Sequence, residues 1–117
     1  MTFGEMVRPV TSCPGVVATA IADRDGIPVE SWGVDASRIE ELVAEYSAFL
    51  RDVTSANRDL QIGPLEQVVV VGSERSVFIT TIVPDYYLVT LVEKPGNSGK
   101  ARFASRVAAF RLRGEFA

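Results

Sequence analysis

Three apolar runs stand in quick succession between residues 67 and 92, and they constrain the fold more than anything else in the chain. Residues 67–71 end at Gly72, residues 76–83 follow, and residues 86–92 complete the set. Val, Ile, Thr, Tyr and Phe dominate, the residue types that suit a pleated, half-buried surface. The breaks, Gly72-Ser-Glu-Arg75 and Pro84-Asp85, are short and polar. Breaks of that kind turn the chain straight back on itself, which predicts an antiparallel meander. None of these residues makes a nucleophile–base pair or a metal cluster. The segment most firmly committed to structure is therefore not a place for enzyme chemistry.

Upstream, residues 15–23 predict a buried strand, and Asp25-Gly26 is the strongest short hairpin signal a sequence offers. The return strand, residues 27–33, contains Pro28, which has no N–H to give a neighbour. That confines it to a sheet edge. Near the start, Phe3, Met6, Val7 and Val10 have the i, i+3, i+4, i+7 spacing of a short helix, disturbed in its last turn by Pro9. Residues 11–15 read as a loop.

Ser37 and Glu40 fit a capping box that opens a long helix ending at Asn57 or Arg58. On it, Ile39, Leu42, Val43, Tyr46, Phe49, Leu50 and Val53 form one broad stripe able to cover a sheet face. At about 100° per residue, Ala44, Ala48, Arg51 and Ser55 gather on the far side. Small residues there are either good exposed helix formers or a second contact face that lets a partner helix approach closely. A last helix, residues 99–113, is expected to be capped by Ser98 and to bury Phe103, Val107 and Phe110, with Ala104 and Leu112 beside them. Lys100, Arg102, Arg106, Arg111 and Arg113 then form its exposed side, and residues 114–117 are expected to fray.

These elements fill 117 residues as one domain, residues 1–117, large enough to bury a core without covalent staples. The net charge of −3 gives no global pull towards nucleic acid or anionic membrane. Charge is uneven, however: residues 94–113 hold six cations and no acid, whereas residues 23–66 hold ten acids and four arginines. The single cysteine, Cys13, excludes an intramolecular disulfide. Histidine is absent, which removes the commonest general base and the commonest transition-metal ligand together. No apolar run approaches the roughly 18 residues of a membrane span, and the first residues do not resemble a signal peptide, so a cytoplasmic protein is expected.

Three local patterns imitate chemistry. Gly96-Asn-Ser-Gly-Lys100 suggests a phosphate loop, but the first glycine position is Lys94 and the magnesium-binding hydroxyl position is Ala101. Asp23, Asp25 and Glu30 suggest a cation site, yet Asp23 and Asp25 flank a hairpin turn, where aspartate bonds the local backbone. The basic last helix could meet phosphates but lacks interleaved exposed aromatics for base stacking. No catalytic residue, cofactor or metal is expected, and no nucleic acid or inserted membrane as partner. Trp32 is either a core residue or an exposed anchor.

Residues 14–33, Pro-Gly-Val-Val-Ala-Thr-Ala-Ile-Ala-Asp-Arg-Asp-Gly-Ile-Pro-Val-Glu-Ser-Trp-Gly, resemble the opening of the roadblock/dynein light chain domain. The long helix, the Gly63-Pro-Leu-Glu-Gln-Val-Val-Val approach, the meander and the closing helix follow in that family's order. Pro9 departs from the pattern by curtailing the first helix. The resemblance implies an α+β fold, a five-stranded antiparallel sheet in the order 2-1-5-4-3 with helices packed on it, akin to longin and profilin-like folds. That order grants Pro28 its edge and makes the first meander strand the other edge. An all-apolar edge is a liability unless it is paired or covered. The family resolves this by dimerising. The resemblance therefore implies a homodimer with Val68, Val69, Val70 and Val71 paired and Ala44, Ala48, Arg51 and Ser55 at a helix seam. It further implies a non-enzymatic bacterial regulator or scaffold of a small Ras-like GTPase, one that could stimulate GTP hydrolysis. The alternative is a small-molecule-sensing or general protein-interaction module on the same scaffold, favoured by a deep apolar pocket near Trp32 or Tyr86. No arginine is placed to act as a transferred finger.

Overall fold

The computed structural model describes residues 1–93 and 98–116. Helix α1 (Phe3–Thr11) leads into strands β1 (Val16–Asp23) and β2 (Pro28–Trp32), and helix α2 (Ala36–Asp59) follows. Strands β3 (Gln67–Val71), β4 (Arg75–Val83) and β5 (Tyr86–Glu93) form the meander, and α3 (Ser98–Phe116) closes the chain. All five strands join one antiparallel sheet in the order β2-β1-β5-β4-β3. Pro28 sits on the edge its missing N–H demanded. Of the turn expected after the meander, residues 94–97 lie outside the described residues, and with them Gly96 and Asn97 of the phosphate-loop look-alike.

The sheet is covered on both faces. Helix α2 lies across β1, β2 and β5, while α3 lies over β4 and β5 with α1 beside it against β1. Alternation along β1 feeds both layers. Ala18, Ala20 and Ala22 meet Ile39, Val43 and Leu50 of α2, and Ile21 turns to Met6, Val7, Val10 and Leu112. Small alanines on the first face let a long helix lie close to the sheet. The β1–β2 turn is closed by the Asp23 carboxylate, which accepts from the N–H groups of Asp25 (2.9 Å) and Ile27 (3.0 Å). Turn geometry thus accounts for Asp23.

Several expectations need correction. Helix α2 begins at Ala36, so Ser37 is inside it, and the preceding Asp35 makes no side-chain cap. Asp35 instead pairs with Arg75 at 2.8 Å, and Glu40 accepts from Ser31 Oγ on β2 at 2.6 Å. The one carboxylate of the expected capping box, Glu40, is thus taken by a tertiary partner. Phe49 is not buried in the α2 stripe but stays 44% exposed. Pro9 is carried within α1, because Glu5, whose carbonyl loses its helical donor, is exposed to water.

The largest correction concerns α3, which is already helical at Ser98, the residue expected to cap it. Its buried positions are Ala101, Ser105, Ala108, Ala109 and Leu112, while Phe103 and Phe110 are 69% and 70% exposed. Four of these five are small, which lets α3 lie close to the sheet, and Leu112 is the one large side chain of α3 buried there. Ser105 Oγ is held there by donating to the Ala101 carbonyl (2.8 Å) and meeting Thr90 Oγ1 (3.1 Å), so its hydroxyl is satisfied without water. Nor do residues 114–116 fray, while Ala117 lies outside the described residues. Phe116 stacks on Phe3, ring centroids 5.4 Å apart and 9° from parallel, and meets Tyr86 at 4.6 Å.

Gly26 has φ +80°, and a Cβ there would lie 2.8 Å from both Ala44 Cα and the Val43 carbonyl oxygen of α2. Gly26→Ala is expected to cost about 3 kcal/mol in urea unfolding, from strain plus collision with backbone that cannot yield. Gly63 shares a positive φ (+108°) but has open space around it, so Gly63→Ala should cost only about 1 kcal/mol.

Candidate interaction edge and helix face

Register decides what β3 offers. Thr80 lies opposite Gln67, and the Thr81 N–H bonds the Glu66 carbonyl at 2.9 Å. At the other end the Gly72 N–H bonds the Arg75 carbonyl at 2.9 Å. Hydrogen-bonded pairs alternate along an antiparallel ladder, so Val68 and Val70 direct their N–H and C=O at Ile79 and Val77 of β4. The backbone groups of Gln67, Val69 and Val71 therefore point away from the sheet. Among the described residues no strand faces them, since β3 ends the strand order. Val71 is 67% exposed, and Val68, Val69 and Val70 are half-buried. The Gln67 side chain is hydrogen-bonded, accepting from Arg102 Nε (2.9 Å) and donating to Thr80 Oγ1 (3.0 Å). Among the described residues no Pro, inward charge or covering helix blunts this edge.

Two contacts orient α2. Glu40 meets Ser31 of β2, and Val43, Ala44 and Ser47 abut the β1–β2 turn at Gly26. The flank with Glu40, Ala44, Ser47 and Arg51 is therefore turned towards β2. Arg51 confirms this by donating to the Arg24 carbonyl in that turn at 3.1 Å. The opposite flank, towards β5, β4 and β3, carries Leu42, Tyr46, Phe49 and Val53, with Tyr46 and Phe49 in an edge contact at 6.2 Å. Leu42 and Tyr46 pack into the same cluster as Val68 and Val70.

The eight residues singled out from sequence are thus only partly brought together. Val68 to Val71 share one edge, whereas Ala44 and Arg51 are on the β2 side of α2. Ala48 is exposed and Ser55 half-buried on its outer surface. The sequence pattern put Leu42, Tyr46, Phe49 and Val53 in the stripe expected to cover the sheet; in the fold Leu42, Tyr46 and Val53 are only half-buried and Phe49 is exposed.

Trp32 is half-buried against α1, where a Cβ on Gly4 would come within 3.3 Å of its Nε1, and the Tyr86 ring is occupied by Phe116. Among the described residues no group of three or more His, Cys, Asp or Glu could hold a metal ion, and no helix is long and apolar enough to cross a membrane.

A family model of the Roadblock/LC7 domain matches residues 2–92, from α1 through the meander. The chain belongs to the Roadblock/LC7 domain family. Solved structures agree on the fold. A Roadblock/LC7 domain from Streptomyces avermitilis superposes with a TM-score of 0.80 at 18% identity, covering 92% of this chain and 91% of its own. MglC from Myxococcus xanthus gives 0.69 at 24%, covering 97% and 99%. MglB from Myxococcus xanthus gives 0.86 at 14%, covering 97% and 86%, and an MglB has also been solved in a tetrameric arrangement. Among curated proteins none matches the chain.

The alternation along this roadblock edge has a direct readout. In dilute solution, where copies are apart, the Val69 and Val71 amides should exchange with solvent at least about a hundredfold faster than those of Val68 and Val70. Equal rates would mean the ladder is offset by one residue.

Proposed function

We propose that this roadblock domain is a non-enzymatic, dimeric regulator or scaffold that binds a small Ras-like GTPase. Membership of the Roadblock/LC7 family carries the reading, because the resemblance implies a GTPase partner that holds the nucleotide while the roadblock protein supplies surface. A chain without histidine suits a role in which it performs no chemistry of its own. MglB and MglC are among its structural neighbours.

The dimer proposal rests on the outward backbone groups of Gln67, Val69 and Val71. A second copy satisfies them by antiparallel pairing about a two-fold axis, and overlap is greatest where Val69 meets its own equivalent. The partner's α2 then lies beside the Leu42, Tyr46, Phe49 and Val53 flank, with Ala48 and Ser55 on the neighbouring surface. Strand pairing and helix packing together bury the apolar edge that a lone copy leaves in water.

Sedimentation equilibrium at micromolar concentration should return the mass of a dimer; a monomer there contradicts the proposal. Val71→Pro removes an outward N–H without touching the bonds to β4, so it should yield a folded monomer and cost only about 1 kcal/mol in stability. Activator and passive scaffold are separated by a GTPase assay. A Ras-like GTPase encoded beside this chain should bind it in its GTP state, and faster hydrolysis on adding the chain marks an activator. A partner bound equally in its GTP and GDP states argues against regulation.

A further inference from the structure

The outer surface of α3 is apolar where solvent-facing helices are usually polar. Phe103, Val107 and Phe110 are spaced i, i+4, i+7, and at about 100° per residue they lie opposite the buried row of Ala101, Ala108 and Leu112. Both phenylalanines are more than two-thirds exposed. Cations flank this crest on either side, Arg102, Arg106 and Arg113 towards β3, Lys100 and Arg111 on the other flank. Arg113 lies over the Phe110 ring at 5.7 Å. Among the described residues, Arg106, Arg111 and Arg113 have no carboxylate within ion-pairing distance.

Beside the crest runs a groove of about 460 Å³. It exists because β3 begins opposite Thr80 while β4 runs on to Val83, leaving the last residues of β4 paired with β5 on one side and with no strand on the β3 side. Those residues form its floor, Pro64 and Leu65 one wall, and Ala109 and Phe110 of α3 the other, with Arg106 and Arg113 on the rim. Glu66 is the one acid in the lining. The groove thus offers apolar walls and two guanidinium groups that, among the described residues, have no carboxylate partner.

We infer that this face docks a segment of another protein that is acidic and amphipathic, seating an aromatic or branched apolar anchor in the groove and placing carboxylates against Arg106 and Arg113. Charge complementarity selects the partner. The chain as a whole is acidic, so a basic and aromatic face stands out against its own background. Concavity favours a peptide over a bilayer, because a flat membrane touches the crest of α3 and leaves the groove empty. The face lies on the opposite side of the sheet from α2, so docking there leaves the Leu42, Tyr46, Phe49 and Val53 flank uncovered.

The test uses the full chain, labelled for NMR, and two synthetic helical peptides about four turns long. One carries glutamates flanking a Leu/Phe stripe, and the other carries lysine at each glutamate position. The glutamate peptide should shift the amides of Thr81 to Val83 and of α3 between Arg102 and Arg113. Binding should weaken at least about tenfold in Phe110→Ala and in the double variant Arg106→Glu/Arg113→Glu. The lysine peptide should bind the double variant and not the parent. These positions are exposed, so thermal unfolding should be unchanged and folding is controlled for. Failure of the glutamate peptide to bind at millimolar concentration, shifts elsewhere, or equal affinity for the variants overturns the proposal. So does a Phe103→Ser/Phe110→Ser variant that lowers the sedimenting mass of the chain alone, which assigns the face to a second copy. Phe110-dependent pelleting with phosphatidylglycerol vesicles, without a peptide response, overturns it in favour of a membrane.

Discussion

Everything in this molecule hangs on the pairing of β1 with β5. Two sequence-local units, the β1–β2 hairpin and the β3–β4–β5 meander, would each leave an apolar strand unpaired. Pairing Ala18 to Asp23 with Leu91 to Tyr86 joins them and buries both seams. Residues about seventy positions apart meet here, so the loop-closure cost is large and must be met by apolar burial on both faces. That is why Thr19, Ala20, Ile21, Leu88 and Thr90 are almost wholly removed from water. Once β1 and β5 are central, β2 and β3 can only be edges.

Those two edges are managed differently. At β2 the proline and the Ser31–Glu40 contact occupy the border, and α2 leans on its turn. At β3 four consecutive valines run along an open ladder with no such device. The α2 helix is displaced towards β2, so its apolar stripe overhangs on the side of β3. Edge and overhang therefore lie on the same side of the sheet.

Much of this was legible in the residues, for reasons that can be named. Strands with short polar breaks leave few alternatives, and Pro28 excludes a central position without reference to any other element. The Asp-Gly turn was readable because its chemistry is local, down to the Asp23 carboxylate. The misreadings share one cause, competition from contacts distant in sequence. Asp35 and Glu40 were claimed by Arg75 and Ser31, so the helix start shifted. In α3, hydrophobicity ranks phenylalanine above alanine, but the width of the space beneath the helix decides burial, and a sequence does not print that width. The small residues of α2 were legible as a face, but not which side of the sheet that face would meet.

The stack of Phe3, Phe116 and Tyr86 has a consequence in time. One layer of this protein is made by α1 and α3, so during synthesis it cannot be assembled before α3 has been made. The α2 layer can close against β1 and β2 early. The other face of the sheet, with Ile21, Ile82 and Leu88, stays open until α3 has left the ribosome. A nascent copy without α3 is thus covered on one side and exposed on the other.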